Sequence, residues 1–298
     1  MNALSYAPTV VSLSDLAPPD ILDALSFDDV VAEMKAAFAA RWATVRAKDP
    51  SLPAYDVTML ETDSAVILIE AFAYRELLVR ARVNDAARGL LLAYAAGTNL
   101  DHLAALFGVT RLDGEGDERL RRRVQLAPET FSTAGAQGAY IFHALSADLG
   151  IFDAWAYSPK AGRVNVVLAG PDGTLVSDDV VAKVVDLFQR EDITPLTDEV
   201  AVVRAEVLRY GVEATLLIPR GPDPGTLKTA AEAAIRAYGA SRYKIAQTHY
   251  RLGHETAAKV PAVETVLMGA PLSDIRPTDK QIGYLDPAAV TLRTQVLL

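Results

Sequence analysis

The chain contains no cysteine among its 298 residues, and this absence excludes several kinds of site at once. Without a thiol there can be no disulfide scaffold, no thiolate metal site and no thiol nucleophile. Histidine is scarce as well, with four residues scattered at positions 102, 143, 249 and 254. Isolated histidines favour structural roles, so we expect none of the four to be catalytic, and we find no positive sign of a bound metal or a cofactor.

Basic residues are outnumbered by acidic ones. Lysine and arginine total 29 and aspartate and glutamate total 38, which gives a formal net charge of −9. A surface that binds the phosphate backbone needs a surplus of lysine and arginine. We therefore expect no nucleic-acid partner for this chain.

Long apolar runs are also missing. The segment SAVILIEAFAY (64–74) is interrupted by Glu70, whereas a membrane-spanning helix needs about 18–20 consecutive apolar residues. Residues 1–20 lack a basic segment followed by an apolar one, so we expect no secretory signal. These features predict a protein that neither enters a membrane nor leaves the reducing cytoplasm by secretion.

Two stretches match part of a functional motif, and each fails at a required position. His254 and Glu255 begin an HExxH zinc motif, but Ala258 occupies the place of the second histidine. The acidic stretch 113–118 alternates carboxylates as a calcium loop does, but its twelfth position is Val124 instead of a bidentate glutamate. The sequence also lacks the nucleophile elbow, the Walker A loop and the kinase signatures.

The N-terminal half is predicted to be helical after an irregular arm. Residues 1–26 contain Pro8, Pro18 and Pro19, which prevent a continuous helix and predict an extended arm. From Phe27 to about residue 48, apolar residues recur every three or four positions, and Ser26 is placed to cap the helix that they predict.

A second helix is predicted from about residue 58 to 96, ended by Gly97. Glu76 and Arg80 are expected to pair on its outer surface, one turn apart. Shorter helices are expected to follow, as far as about residue 150. The predicted apolar stripe of the second helix consists of Val66, Ile69, Phe72, Ala73 and Leu77.

The second half alternates strands with helices. Strand patterns occur at 162–170, within 198–219, at 262–268 and at 289–297, with helical patterns at 177–190, 224–239 and 249–258. This order predicts an α+β fold with tandem, ferredoxin-like βαβ units. The predicted domains are an arm (1–26), a helical domain (27–150), a first α+β unit (151–205) and a second α+β unit (206–298).

The most basic stretch is DERLRRRVQ (117–125). One interpretation is a solvated helix in which Glu115 pairs with Arg119 and Glu118 pairs with Arg122. A second is a contact patch for an acidic protein partner, and a third, disfavoured by the net charge, is a nucleic-acid patch. The four arginines of this candidate patch are Arg119, Arg121, Arg122 and Arg123.

A set of short motifs lies between residues 73 and 112. It comprises an aromatic-Arg-Glu triplet, an Arg-x-Asn motif, a Tyr-Ala-x-Gly turn and a Leu-Asp start to the next helix, which contain Tyr74, Arg75, Glu76, Arg82, Asn84, Tyr94, Gly97 and Asp101. Together with the segments 18–31, 117–124, 132–145 and 158–170, this set resembles the baseplate assembly protein J family of contractile-tailed bacteriophages. The resemblance covers about residues 18–270.

The resemblance implies a structural role in a contractile phage tail or a tail-like particle, with no catalytic residues. Members of the family are wedge subunits that pair with each other, bundle helices with other wedge proteins and link wedges into a ring around the tail hub. The implied partners are a second copy, a tail protein I-like subunit and a lysozyme-like, W-like subunit. The implied location is the baseplate of the virion tail, after assembly in the host cytoplasm.

The composition and motifs agree with a role in assembly, because the long helices between about residues 27 and 96 carry apolar stripes and no chemistry. We hypothesise that these helices form the bundle between subunits. One alternative is a soluble enzyme that uses carboxylates and tyrosines no motif marks, which would require a pocket with converging titratable groups. The other is an adaptor protein unrelated to phages, which genomic context would distinguish.

Overall fold

The computed structural model describes residues 10–13, 16–55, 61–132 and 135–297. Residues 11–106 form one compact unit, and residues 107–298 belong to the other. The described helices are α1 (Phe27–Lys48), α2 (Ser64–Gly89), α3 (Gly97–Ala105), α4 (Asp117–Leu126), α5 (Gln137–Ala147), α6 (Asp178–Phe188), α7 (Pro224–Ser241) and α8 (Arg251–Ala258). The described strands are β1 (Asp153–Lys160), β2 (Arg163–Ala169), β3 (Glu199–Arg204), β4 (Glu206–Ile218), β5 (Thr265–Ala270) and β6 (Gln281–Val296).

The N-terminal unit is built on the packing of α1 against α2. The predicted cap of α1 is confirmed, because the Ser26 hydroxyl accepts a hydrogen bond from the Asp29 backbone N–H at 3.3 Å. Val30 and Val31 of α1 form a small buried core with Ala73 of α2. The apolar contact between the two helices is therefore narrow, although both helices are long.

Helix α2 differs from its prediction in its length and in which of its side chains are buried. It ends at Gly89, and Gly97, with a φ of +53°, is the first residue of α3 instead of the end of α2. Of the predicted stripe, Val66, Ile69 and Ala73 are buried, whereas Phe72 is 58% exposed. Neighbouring residues of an α-helix point about 100° apart, so Phe72 cannot share the face of Ala73. The predicted start at residue 58 lies outside the described residues.

The first sheet has the order β1-β2-β3, with β1 antiparallel and β3 parallel to β2. Helix α6 connects β2 to β3. Two parallel strands need a crossover connection of this kind, because a tight turn cannot join them. Strand β2 agrees with the pattern at 162–170, but β1 was not predicted. Its inward positions are the small residues Ala154 and Ala156, which are weak strand formers and leave little periodic signal.

The second sheet has the order β5-β4-β6, with β5 antiparallel and β6 parallel to β4. Its core includes Leu216 from β4, Ile235 from α7 and Ala258 from α8. The predicted α+β class is confirmed. Within the described residues each sheet has three strands, instead of the four of a ferredoxin-like arrangement.

Strand β2 is buried on both faces and joins the two sheets. Val166 and Leu168 point into a core with α5 and α6, whereas Val167 points into a second core that contains Tyr243 and Ile282. The segments predicted as two separate α+β units thus share buried side chains. Helices α4 and α5 also belong to this unit, so the division within the predicted helical domain falls at residues 106 and 107 instead of near 150.

A buried polar cluster lies beneath the second sheet. The Tyr210 hydroxyl lies 2.6 Å from His249 Nδ1 and 3.1 Å from His254 Nε2, and both imidazoles are fully buried. Because the hydroxyl has one proton, it donates to one ring and accepts from the other. Burial lowers the pKa of both histidines to about 4. The neutral cluster is therefore the form that the fold accommodates.

Acidification should destabilise the protein through these two histidines. In the unfolded chain a histidine has a pKa of about 6.5, so below that pH the unfolded state binds more protons than the folded state. Stability is complete above pH 6.5 and should fall between pH 6.5 and 4, by about 1–3 kcal/mol per pH unit. Urea unfolding at pH 7, 6 and 5 measures this slope.

The variant His254→Asn should flatten that dependence, whereas His102→Asn, which changes an exposed histidine of the other unit, should leave it intact. An equal free energy of unfolding at pH 7 and pH 5 in the native sequence would contradict the assignment.

Candidate interaction surface

The outer surface of α2 carries a row of exposed apolar side chains. Leu68, Phe72, Val79 and Val83 follow one another at intervals of four, seven and four residues, which places them along one face of the helix. Each is between 55% and 58% exposed. We call these four residues the outer row. A second set on the neighbouring face, also largely exposed, consists of Ile67, Tyr74 and Leu78.

Helix α2 is therefore apolar on two faces, of which one is buried and the other is exposed. Its inner side, with Val66 and Ile69, is buried, and its outer row is as hydrophobic as that core-facing side. A contiguous exposed apolar patch marks an interaction site. Within the described ranges, no helix has the length and apolar character needed to cross a membrane.

The aromatic-Arg-Glu triplet lies at the centre of this surface. Tyr74 and Arg75 are exposed, and Glu76 accepts a hydrogen bond from Arg80 Nε at 3.0 Å, which confirms the predicted pair. Arg80 also reaches Glu33 of α1 at 3.2 Å. Arg75 contacts no carboxylate in the part of the chain that the structure describes.

Asn84 of the Arg-x-Asn motif is buried and holds the arm. Its side-chain oxygen accepts a hydrogen bond from the Asp23 N–H at 3.1 Å, and its amide nitrogen donates to the Asp23 carbonyl at 2.9 Å. One side chain thus satisfies both backbone groups of Asp23, as a neighbouring strand would. Nothing in the local sequence pattern shows this contact, which joins residues 61 positions apart.

The remaining motif residues are distributed along the helical unit instead of meeting in one pocket. Arg82 is exposed on α2, and Tyr94 is partly exposed in the turn that follows. Gly97 opens α3, and Asp101 is half-buried in that helix. Their roles as family-motif residues remain predictions.

The candidate arginine patch is largely inside the protein. Arg119 donates hydrogen bonds to the carbonyl oxygens of Leu145 at 2.7 Å, Asp148 at 2.8 Å and Ile151. These carbonyls surround the C-terminal end of α5, where unpaired backbone oxygens and the negative end of the helix dipole favour a cation. Arg119 therefore fastens α4 to the end of α5.

Arg123 and Glu115 form a buried ion pair at 2.7 Å, with side-chain exposures of 4% and 0%. Arg123 also donates to the Ser146 hydroxyl at 3.0 Å. The second oxygen of Glu115 lies 3.4 Å from Arg119 Nε. The two arginines together neutralise a carboxylate that would otherwise be unpaired and costly to bury.

Arg122 reaches into β1 and does not pair with Glu118. Its guanidinium bonds to Asp153 at 2.5 Å, and the same carboxylate accepts the Ile245 N–H at 2.7 Å. Glu118 pairs with Arg121 instead, at 2.6 Å. The predicted pairing of Glu118 with Arg122 was wrong, and so was the solvated surface, because the tertiary fold supplies other partners.

The four arginines are thus buried or half-buried and bonded within the protein. Their geometry does not support an exposed contact patch for an acidic partner. Arg75 and Arg82 of α2, in contrast, are exposed.

A polar cavity lies between α5 and the segment before β3, and it is the candidate for the pocket that an enzyme would need. It has a volume of about 280 Å³ and is lined in part by Tyr140, His143 and Asp192. Two of its lining groups already have partners, since Asp192 bonds to Arg190 at 2.7 Å and the Tyr140 hydroxyl donates to Asp198 at 2.5 Å. In the ranges that the structure describes, no group of three histidine or acidic residues could hold a metal ion.

Replacement of the buried Arg123 tests whether the arginine cluster stabilises the fold. Arg123→Ala leaves Glu115 buried without its closest partner, and we expect the free energy of unfolding to fall by about 3–5 kcal/mol. Arg190→Ala breaks an exposed pair and should cost under about 1 kcal/mol. Chemical denaturation of both variants measures the difference, and equal small losses would show that Arg123 has no structural role.

Comparison with known proteins covers most of the chain. The Baseplate J-like N-terminal domain matches residues 61–113, which include α2 and α3. The Baseplate J-like central domain matches residues 132–204, which include α5 and the first sheet. Baseplate protein J of Escherichia phage P2 is 33% identical over 291 residues, which cover 92% of this chain and 95% of the relative. The chain therefore belongs to the baseplate J family.

Proposed function

We propose that this chain is a structural wedge subunit of the baseplate of a contractile phage tail or a tail-like particle. In this proposal it assembles with other baseplate proteins into wedges, which join in a ring around the tail hub. The observation that carries the proposal is the exposed outer row of α2, on a helix that lies within the matched N-terminal family domain.

The outer surface of α2 still offers apolar area that a partner could bury. The α1–α2 core is small, whereas the outer row and the set beside it leave seven apolar side chains largely exposed. Covering a half-exposed large apolar side chain contributes on the order of 1 kcal/mol. A neighbouring helix that covered this surface would gain enough to offset part of the cost of association.

The proposed partners are a second copy of the chain and other wedge proteins, namely a tail protein I-like subunit and a lysozyme-like, W-like subunit. The proposed location is the virion tail baseplate, after assembly in the host cytoplasm. No catalytic residue is assigned. The enzyme alternative has less support, because no motif marks a catalytic group and Asp192 of the polar cavity is already bonded to Arg190.

Native mass spectrometry of the full chain, with and without the proteins encoded beside it in a tail gene cluster, tests the proposal. The native sequence should form a complex with those proteins. The double variant Phe72→Glu/Leu78→Glu should reduce complex formation at least about tenfold, because it places charge on both apolar faces of α2.

The matched control is Leu196→Glu, which changes a leucine that is 93% exposed in the other unit. It should leave the complex intact, and circular dichroism should show that all variants remain folded. A native chain that stays monomeric beside the tail proteins would refute the proposal.

A further inference from the structure

We infer that the polar cavity between α5 and the segment before β3 is a docking site for a lysine or arginine side chain of another baseplate protein. The inference rests on the proposed function and specifies the chemistry of one contact within it. The cavity belongs to the C-terminal unit, so the inference does not depend on the outer row of α2.

The cavity is open to the surface and has room for one long side chain. Its volume of about 280 Å³ lies below the range of about 300–1,000 Å³ that holds drug-sized ligands. Helix α5 contributes Ala139 to the wall, where the short side chain leaves space. Glu191 and Leu196 also line the cavity, and both are exposed. A side chain of another protein can therefore enter from solvent.

The groups around the cavity carry a surplus of negative charge. Glu191 and Asp192 line it, and Asp198 adjoins it by accepting the Tyr140 hydroxyl at 2.5 Å. Arg190 offsets one of these charges, at 2.7 Å from Asp192, but both members of that pair are more than half exposed, and such pairs contribute little stability. Glu191 has no hydrogen bond or ion pair within the ranges that the structure describes. A cleft lined by one sign of charge attracts ligands of the opposite sign.

His143 adds an acceptor to the cavity instead of a competing positive charge. Its imidazole is half-buried, and among the described residues it has no hydrogen-bond partner. Burial lowers the pKa of His143 more than the nearby Asp192 raises it, so the ring is neutral at pH 7. A neutral imidazole has one nitrogen that accepts a hydrogen bond, whereas the head groups of lysine and arginine only donate. A basic side chain therefore complements the carboxylates and the imidazole together.

An exposed aromatic ring beside the cavity favours a protein side chain over a free cation. Phe131 lies between the lining residues Thr130 and Ser132 and is 70% exposed. The stem of a lysine or arginine packs on apolar surface while its head group stays with polar partners, and a guanidinium also stacks on an aromatic ring. The family's central domain, matched at residues 132–204, includes Ser132 and every lining residue that follows it. We therefore assign the basic side chain to a baseplate protein.

Charge reversal at the cavity tests the inference in the full chain. Glu191→Lys/Asp192→Lys should raise the dissociation constant of the complex with the neighbouring tail proteins about tenfold or more, because it places like charges together. The matched control, Glu213→Lys/Glu264→Lys, reverses two exposed carboxylates of the same unit and should change that constant less than about threefold. Native mass spectrometry measures both variants, and circular dichroism checks that they fold.

The sign of the charge is tested at a single position of the rim. Leu196→Lys should weaken the complex as the double reversal does, whereas Leu196→Glu adds an acidic group beside the cavity and should leave the complex intact. Equal losses in the two variants would show that an apolar contact was removed, and equal binding would show that charge at the cavity has no effect. Either result would overturn the inference.

Cross-linking identifies the side chain that enters. Because the native sequence has no cysteine, a Ser132→Cys chain can be labelled at that position alone with a benzophenone maleimide. Irradiation of the assembled complex should attach the label to a segment of another tail protein that contains lysine or arginine. Replacing that basic residue by glutamate should weaken the complex, and combining it with Glu191→Lys/Asp192→Lys should recover most of the loss.

Three results would overturn the inference without touching the proposed function. One is a complex that Glu191→Lys/Asp192→Lys leaves unchanged. Another is a cross-linked segment that lacks a basic residue or comes from a second copy of this chain. The third is a charge exchange that recovers no binding. Failure of the native chain to join the tail proteins would instead refute the proposed function.

Discussion

The two-sided apolar character of α2 is the constraint on which the N-terminal unit depends. One side packs on α1 through a core of a few small side chains, Val30, Val31 and Ala73, and the other side remains exposed. Apolar side chains that stay exposed contribute little to the stability of a folded unit until they are covered. Contacts made by the outer row would therefore add to the stability of the unit as well as to association.

The C-terminal unit is organised differently, because many of its polar side chains are bonded to one another within the unit. Strand β2 is buried on both faces, and Tyr243 links the sheets by donating to the Gly170 carbonyl at 2.7 Å and accepting the Gly173 N–H at 2.9 Å. The arginines of α4 hold the end of α5 and the start of β1.

The arginine cluster shows where inference from sequence fails. Four arginines in seven residues are equally compatible with a solvated helix, a docking patch and a buried network. The choice depends on Leu145, Asp148 and Asp153, which lie 26 to 31 positions away from their arginines. Asn84 is a similar case, because its motif was recognisable but its bond to the Asp23 backbone was not. Local patterns contain no information about such distant partners.

The sequence by itself determined the features that depend on near neighbours: the start of α1 at its Ser26 cap, the Glu76–Arg80 pair, the change from helical to strand periodicity, the α+β class and the family. Only the tertiary structure decided which side of α2 is buried, where the compact units divide, that β1 is a strand, and which groups the arginines bond. The reason is physical. Caps and periodicity act within about one turn of helix or one strand, whereas burial and ion pairing are set by residues that meet only after the chain has folded.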